Sequence, residues 1–388
     1  MNVSEIINQL GENRDQYFGA MVPPIIQTSN FKFNTVESLR GALLNEFNEH
    51  VYTRGNNPTV QILRKKLAAL EGAEDALVLS SGVSAISIAV LSVLKAGDHV
   101  ICPNHVYGWT DALFNKLLPR FGITTTFVDG KDVENFKSAV LPNTTLVFME
   151  SPNTMLFELQ DIEAICTWAK SLGITTVVEN TYCTPLYQNP IKMGADIVVH
   201  TATKYLSGHS DVVAGVICSS SQRIKQIFAN EFLTLGSIIS PNDAWLFIRG
   251  LRTFEIRMER ISNSAKKVIE FLQNHPKVTQ VIYPFSPQNT QLELAQKQMI
   301  GMGGLFSFKL KSKEISQIEL FCNTLKVFSL AVSWGGYESL VFPVCASYYS
   351  SEDLYNHAFP INLIRLYVGL EDPKALIEDL KFAFDTIE

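Results

Sequence analysis

Four short segments of the chain hold side chains whose types and settings allow chemistry. The first is His200-Thr201-Ala202-Thr203-Lys204-Tyr205-Leu206-Ser207-Gly208, a lysine among small hydroxyl residues after an apolar run. A lysine that is desolvated or close to other cations has a lowered pKa and condenses readily with carbonyl groups to a Schiff base. A single lysine is more often a surface charge, so its surroundings decide. The second segment, Ser80-Ser81-Gly82-Val83-Ser84, is a turn of small residues running into a helix start. Free backbone N–H groups and the helix dipole favour a phosphate there, although such a turn also serves as a plain helix cap. In the third, Tyr107-Gly108-Trp109-Thr110, Tyr107 offers its face to a planar heteroaromatic ring or fills the core. The fourth, Val177-Val178-Glu179-Asn180-Thr181, puts an acid directly after an apolar strand. Carboxylates are seldom buried unpaired, so Glu179 calls for a cation: a protonated pyridine nitrogen, or an Arg or Lys.

Each segment follows a strand-like run, and in open α/β sheets ligands sit beyond the carboxyl ends of the strands. The spacing of apolar residues predicts helices over 59–70, 85–94, 110–120 and 162–172. It predicts strands over 76–79, 99–102, 124–128, 145–149, 175–178, 197–199 and 213–218. Continuous apolar strands alternating with amphipathic helices indicate an α/β fold with a mostly parallel sheet covered on both faces. After a long helical segment over 241–275 the pattern changes to a half-exposed alternating strand over 304–310, a helix over 318–325 and a strand over 363–368. The expected division is therefore an arm over 1–55, an α/β domain over 56–251 and a smaller α+β domain over 252–388. The arm, rich in Pro, Asn and aromatics, reads as extended, and such arms often reach a neighbouring subunit.

At 388 residues the chain exceeds what one core usually serves. Its net charge of -6, with no Lys/Arg run that stands out, argues against nucleic acid and anionic lipid as partners. The longest apolar stretches, such as 85–94, are too short to span a bilayer, and the N-terminal MNVSEIINQL lacks the pattern of a signal peptide, so a cytoplasmic protein is expected. Six cysteines without a CxxC pair suggest neither zinc nor disulfides, and no metal site is expected. A dinucleotide-dependent oxidoreductase would need GxGxxG between the first strand and helix, and that string does not occur.

The segment TATKYLSGHSDVVAG resembles the lysine segment of the pyridoxal-phosphate (PLP) enzymes of Cys/Met metabolism, the family of cystathionine synthases and lyases, methionine γ-lyase and O-acetylhomoserine sulfhydrylase. MVPPIIQTSNF, YTRGNNPT, LSSGVSAI, ESPNTM, VVENTYCTPL, SPNDAWLFIRGLRT, VSWGGYESL and IRLYVGLEDP resemble further family segments, in family order, from residue 21 to about 373. The resemblance implies an aspartate-aminotransferase-type fold and PLP as cofactor. It assigns Lys204 to the imine with PLP and then to proton transfer at the substrate Cα. Ser81, Gly82 and Val83 form the phosphate turn, Thr201 and Thr203 add side-chain contacts to the phosphate, and Tyr107 stacks on the ring and shares in catalysis. Glu179 stands where the family usually has Asp, opposite the pyridine nitrogen. Arg365 matches the arginine that grips the substrate carboxylate, with Ser333 beside it.

In ESPNTM the family more often reads ESPxNP, which makes Asn153 and Thr154 the candidates for substrate contact. Tyr52 and Arg54 match residues sent into a neighbour's phosphate site, implying a homotetramer built from dimers that share active sites. Members working at Cγ commonly carry Glu where this chain has Val332. Together with SWGGYESL this favours β-elimination from cystathionine or a related cysteine thioether, giving a thiol, pyruvate and ammonia, over γ-elimination or γ-replacement. Methionine γ-lyases also have an apolar residue at that position. A PLP-fold protein without catalysis is the remaining alternative.

Overall fold

The computed structural model describes residues 1–347 and 359–388. Its larger sheet has seven strands: β1 Asp75–Leu79, β2 His99–Pro103, β3 Thr124–Val128, β4 Thr144–Glu150, β5 Thr175–Glu179, β6 Ile197–Thr201 and β7 Gly215–Ser219. They lie in the order β1-β7-β6-β5-β4-β2-β3. Only β7 runs against its neighbours β1 and β6; the other pairs are parallel. Burial on both faces explains the continuous apolar runs. Ala76, Val78, Val147 and Val198 face one core layer with Leu63 and Leu67 of the helix Pro58–Glu71. Leu77, Leu79, Ile197 and Val199 face the opposite layer with Ala85 and Ile88 of the helix Gly82–Leu91.

The second sheet contains β8 Val278–Ile282, β9 Leu305–Leu310, β10 Ser329–Leu330, β11 Leu340–Pro343 and β12 Leu363–Tyr367. Their order is β10-β11-β12-β9-β8. Phe306 and Phe308 of β9 pack with Val268 and Leu272 of the helix Phe254–Gln273 and with Phe384 of the helix Pro373–Asp385. The half-exposed strand expected at 304–310 is instead buried along almost its whole length. Its second face meets the larger sheet's loops rather than water: Leu305 joins the main core, and Ser307 Oγ donates to Met155 O at 3.0 Å.

The helix expected over 110–120 breaks into a short helix Gly108–Ala112, a wide turn Leu113–Leu117 and a tight turn Leu118–Phe121. Pro119 lacks the N–H that a continuous helix would need at that point. The arm also departs from an extended chain. Residues Val3–Gln9 form a helix in which two carbonyls, Ile6 O and Ile7 O, accept from the buried Lys66 Nζ at 3.1 Å each. Lys66 also pairs with Glu12 at 3.0 Å. Farther on, Thr53 N donates to Ser29 O (2.9 Å) and Phe31 N to Val51 O (3.3 Å), closing a stem around the helix Val36–Leu44.

Candidate active site

The loops after β1, β2, β4, β5 and β6 meet segment 332–334 and β12 around a cavity of 540 Å³. Strand ends make this the natural place for polar groups, because the strands themselves are buried on both faces. Lys204 lies in the turn after β6, which is tied by Lys204 N to Thr201 O (3.2 Å) and Gly208 N to Lys204 O (2.9 Å). Its Nζ donates to Ser333 Oγ and lies 5.5 Å from the Trp334 ring centre. Burial, followed by the positive charge of Arg365, pushes its ammonium down to about 8. An amine with that pKa is partly neutral near physiological pH, as a nucleophile or proton acceptor must be.

Arg365 projects from β12. Its Nη1 donates to Thr154 Oγ1 at 3.4 Å, its Nη2 to Ser333 O at 3.5 Å, and the guanidinium lies 5.2 Å from the Phe342 ring centre. Ser333 holds a φ of 79°, a left-handed conformation that costs a non-glycine residue energy. It is touched by both Lys204 and Arg365, and so links the buried amine to the guanidinium.

At the opposite end, Ser81 caps the helix Gly82–Leu91 by accepting from Ser84 N at 3.1 Å. The N–H groups of Gly82 and Val83 are left at the helix start, aimed away from the helix body. Gly82 is required there: a Cβ would come within 2.0 Å of Thr201 Oγ1. Thr203 also lines the cavity, its hydroxyl fixed against the Ala214 backbone (Ala214 N to Oγ1, 3.0 Å).

Glu179 ends β5 and is 8% exposed. Its carboxylate accepts from the Thr181 hydroxyl and from Thr181 N at 3.2 Å. No Arg or Lys ion pair reaches it among the described residues, so the structure does not supply the protein salt bridge that would have accounted for it. Burial raises its pKa. Tyr107 lines the same cavity, and its N donates to Glu150 Oε2 at 2.8 Å.

Asn153 is not brought into the cavity. It is buried and consumed within its own loop: Nδ2 donates to Glu158 Oε2 (3.1 Å) while Oδ1 accepts from Leu156 N (3.2 Å). Thr154, the next residue, does line the cavity. Tyr52 and Arg54 lie in the arm, exposed and outside it, with the guanidinium 5.5 Å from the Tyr52 ring centre. Sequence reasoning passed over Glu150, Thr181 and Trp334. Glu150 carried the same signal as Glu179, an acid closing an apolar strand, whereas the other two adjoin named residues.

A mostly parallel sheet that presents a lysine, a glycine-bearing helix start and a buried acid beyond its strand ends defines a PLP enzyme of the aminotransferase-type fold. A family model for Cys/Met metabolism PLP-dependent enzymes matches residues 5–385. L-methionine gamma-lyase of Fusobacterium nucleatum subsp. polymorphum is 41% identical over 378 residues, covering 95% of each chain. Cystathionine beta-lyase of Lactococcus lactis subsp. cremoris is 38% identical over 378 residues, covering 97% of each. The crystal structure of metB from Corynebacterium glutamicum superposes with a TM-score of 0.92 at 34% identity, covering 100% of this chain and 98% of that one. The chain belongs to the Cys/Met metabolism PLP-dependent family, and it is a PLP-dependent carbon–sulfur lyase.

The cavity fits that cofactor by its own chemistry. A helix start and a glycine with no room for a side chain suit the phosphate, and an amine of lowered pKa suits the aldehyde. A buried carboxylate that forms no Arg or Lys ion pair among the described residues suits the ring nitrogen.

Proposed function

We propose that the enzyme cleaves the Cγ–S bond of a short thioether amino acid of the methionine type, yielding a thiol, a 2-oxoacid and ammonia. The carrying observation is how charge is distributed in the cavity. Glu150, Glu179 and Arg365 are 3–8% exposed at its inner end, while Val332, Val213 and Trp109 at its mouth are 72%, 61% and 49% exposed. A thioether ending in a methyl group suits that apolar mouth, whereas the distal ammonium and carboxylate of cystathionine find no charged partner there among the described residues. This reading departs from the preference for β-elimination that Val332 and SWGGYESL suggested. The apolar Val332 is compatible with both reactions, and the similarity to L-methionine gamma-lyases supports the γ reading.

Bound PLP would supply the sink for the electron pair left at the substrate Cα. Arg365 would hold the substrate carboxylate as a bidentate fork, aided by Thr154 and Ser333. Lys204, after anchoring the cofactor, is placed to take the Cα proton, and γ-cleavage needs a second proton removed at Cβ. Glu179 would keep the ring nitrogen protonated, and Tyr107 would stack on the ring. Water supplies the oxygen of the keto acid: methionine plus water gives methanethiol, 2-oxobutyrate and ammonia.

The second reading, β-elimination from cystathionine, has the resemblance of SWGGYESL and the 38% identity to the Lactococcus enzyme behind it. A keto-acid assay on L-methionine and L-cystathionine separates the two. Release of 2-oxobutyrate from methionine is expected. Pyruvate from cystathionine, with methionine left intact, would reverse the assignment.

We further propose that Tyr52 and Arg54 complete the phosphate site of a neighbouring subunit, in dimers that pair into a homotetramer. Their exposure in the arm, together with the exposed Val36, Leu43 and Leu44 nearby, supports this reading. A small amino acid is the expected partner besides PLP. No helix among the described residues is long and apolar enough to cross a membrane.

A further inference from the structure

Glu150 has no role in the reaction as derived above, yet among the described residues it is the most buried ionisable group lining the cavity, at 3% exposure. It ends β4 in register with Glu179 at the end of the parallel strand β5, so both carboxyl groups emerge on the same side of the sheet. Their partners differ. Glu179 is held by Thr181, within its own loop. Glu150 Oε2 instead accepts from Tyr107 N at 2.8 Å, in the loop after β2, and the backbone N–H of Thr154, in the loop after β4, faces the same carboxyl in a weaker contact that favours its charged form. Its own N–H is pinned to Gln160 Oε1 at 3.1 Å, which fixes the strand end from which it projects. None of the ion pairs among the described residues includes it. A buried carboxyl with no cation relies on such hydrogen bonds, and the donors are held as firmly as the acceptor.

Tyr107 is the proposed ring-stacking residue. Thr154 accepts from Arg365 Nη1, the proposed grip on the substrate carboxylate. We propose that Glu150 is a positioning residue that sets Tyr107 and the Thr154–Arg365 contact together, by holding the loops after β2 and β4 on one buried carboxyl. The inference rests on the assignment of this cavity to PLP and its amino-acid substrate, but not on which carbon loses its sulfur.

The test compares E150L, E150D and E150Q with the unaltered PLP-loaded enzyme by hydrogen–deuterium exchange, visible circular dichroism of the bound cofactor, and the split between KM and kcat. In E150L, peptides covering 104–112 and 151–158 should both exchange about ten-fold faster, the size of one lost buried hydrogen bond. The dichroic band should shrink, and KM should rise by more than kcat falls. E150Q keeps an acceptor oxygen at the same reach and should restore most of all three. Should E150L fail to fold, E150D, which draws the carboxyl back by one methylene, must still loosen both loops. Loosening of one loop only, of neither, or damage in E150Q equal to that in E150L or E150D would overturn the proposal. Because exchange is independent of the product formed, an error in the γ assignment would leave this result intact.

Discussion

Lys204 must be neutral to attack a carbonyl, and burial, then Arg365, holds its ammonium down to about 8. The neutral fraction of an amine grows as pH rises through its pKa. The rate at which the PLP-free protein captures PLP covalently should therefore climb between about pH 7 and pH 9 and level off above. A rate that goes on rising to pH 10 would mean that the lysine titrates as an exposed one. R365Q removes one of the two causes, so its capture profile should move to higher pH; an unmoved profile would leave burial as the only cause. Glu179 admits a separate check. Gln in its place cannot hold a proton on the ring nitrogen by charge, so E179Q should lose about 100-fold in kcat while still anchoring PLP. Unchanged turnover would remove Glu179 from the reaction.

In the proposed site, the helix start at Gly82–Leu91 is the element on which phosphate binding turns. G82A would drive a methyl group into the Thr201 side chain at the end of β6. The expected outcome is a weakening of PLP affinity by at least ten-fold, about 1.4 kcal/mol or more, measured by equilibrium dialysis. Retained affinity would place the phosphate elsewhere. Such elements were legible in the sequence wherever both faces of a strand are buried, since β1 and β6 then read as apolar runs, Ala76 to Leu79 and Ile197 to Val199, followed by small or polar residues. Where two layers share an element the signal failed. β9 alternates in residue type yet is covered on both sides, because the loop at Met155 packs against it. The two-residue β10 and four-residue β11 are too short to carry a period. The site was legible residue by residue where chemistry and strand end coincide, as at Lys204 and Glu179. Asn153 lies outside the cavity with its amide turned to Glu158 and Leu156, since position in a motif does not say which way an amide points.

At the scale of the whole molecule, the cavity of one chain lacks Tyr52 and Arg54, which stand in the arm of the same chain but outside its own cavity. If neighbouring subunits exchange these residues, K204A and R54A preparations that are each nearly inactive should regain activity when dissociated and reassociated together. A shared dimer then contains one site with both residues intact, for up to about half the normal activity per mixed dimer, less where like subunits pair again. Absence of any recovery in dimers that demonstrably mix would confine each site to its own chain.

The stem formed by Ser29, Phe31, Val51 and Thr53, with the Lys66 clasp behind it, gives the arm a property that an ordinary tail lacks. A tail severed from its subunit departs, and a tail left intact can be traded wholesale for its twin. Here the excursion over 32–50 leaves and re-enters the same subunit through paired backbone segments, like the handle of a cup. A protease cutting the handle once would leave both halves attached, the front held by the clasp and the back continuous with the helix Pro58–Glu71. Nicked protein should keep its fold and its N-terminal fragment under native conditions, and release that fragment only on denaturation. What such a cut would take away is the handle's fixed shape, and with it the placement of Tyr52 and Arg54 at the foot of the stem.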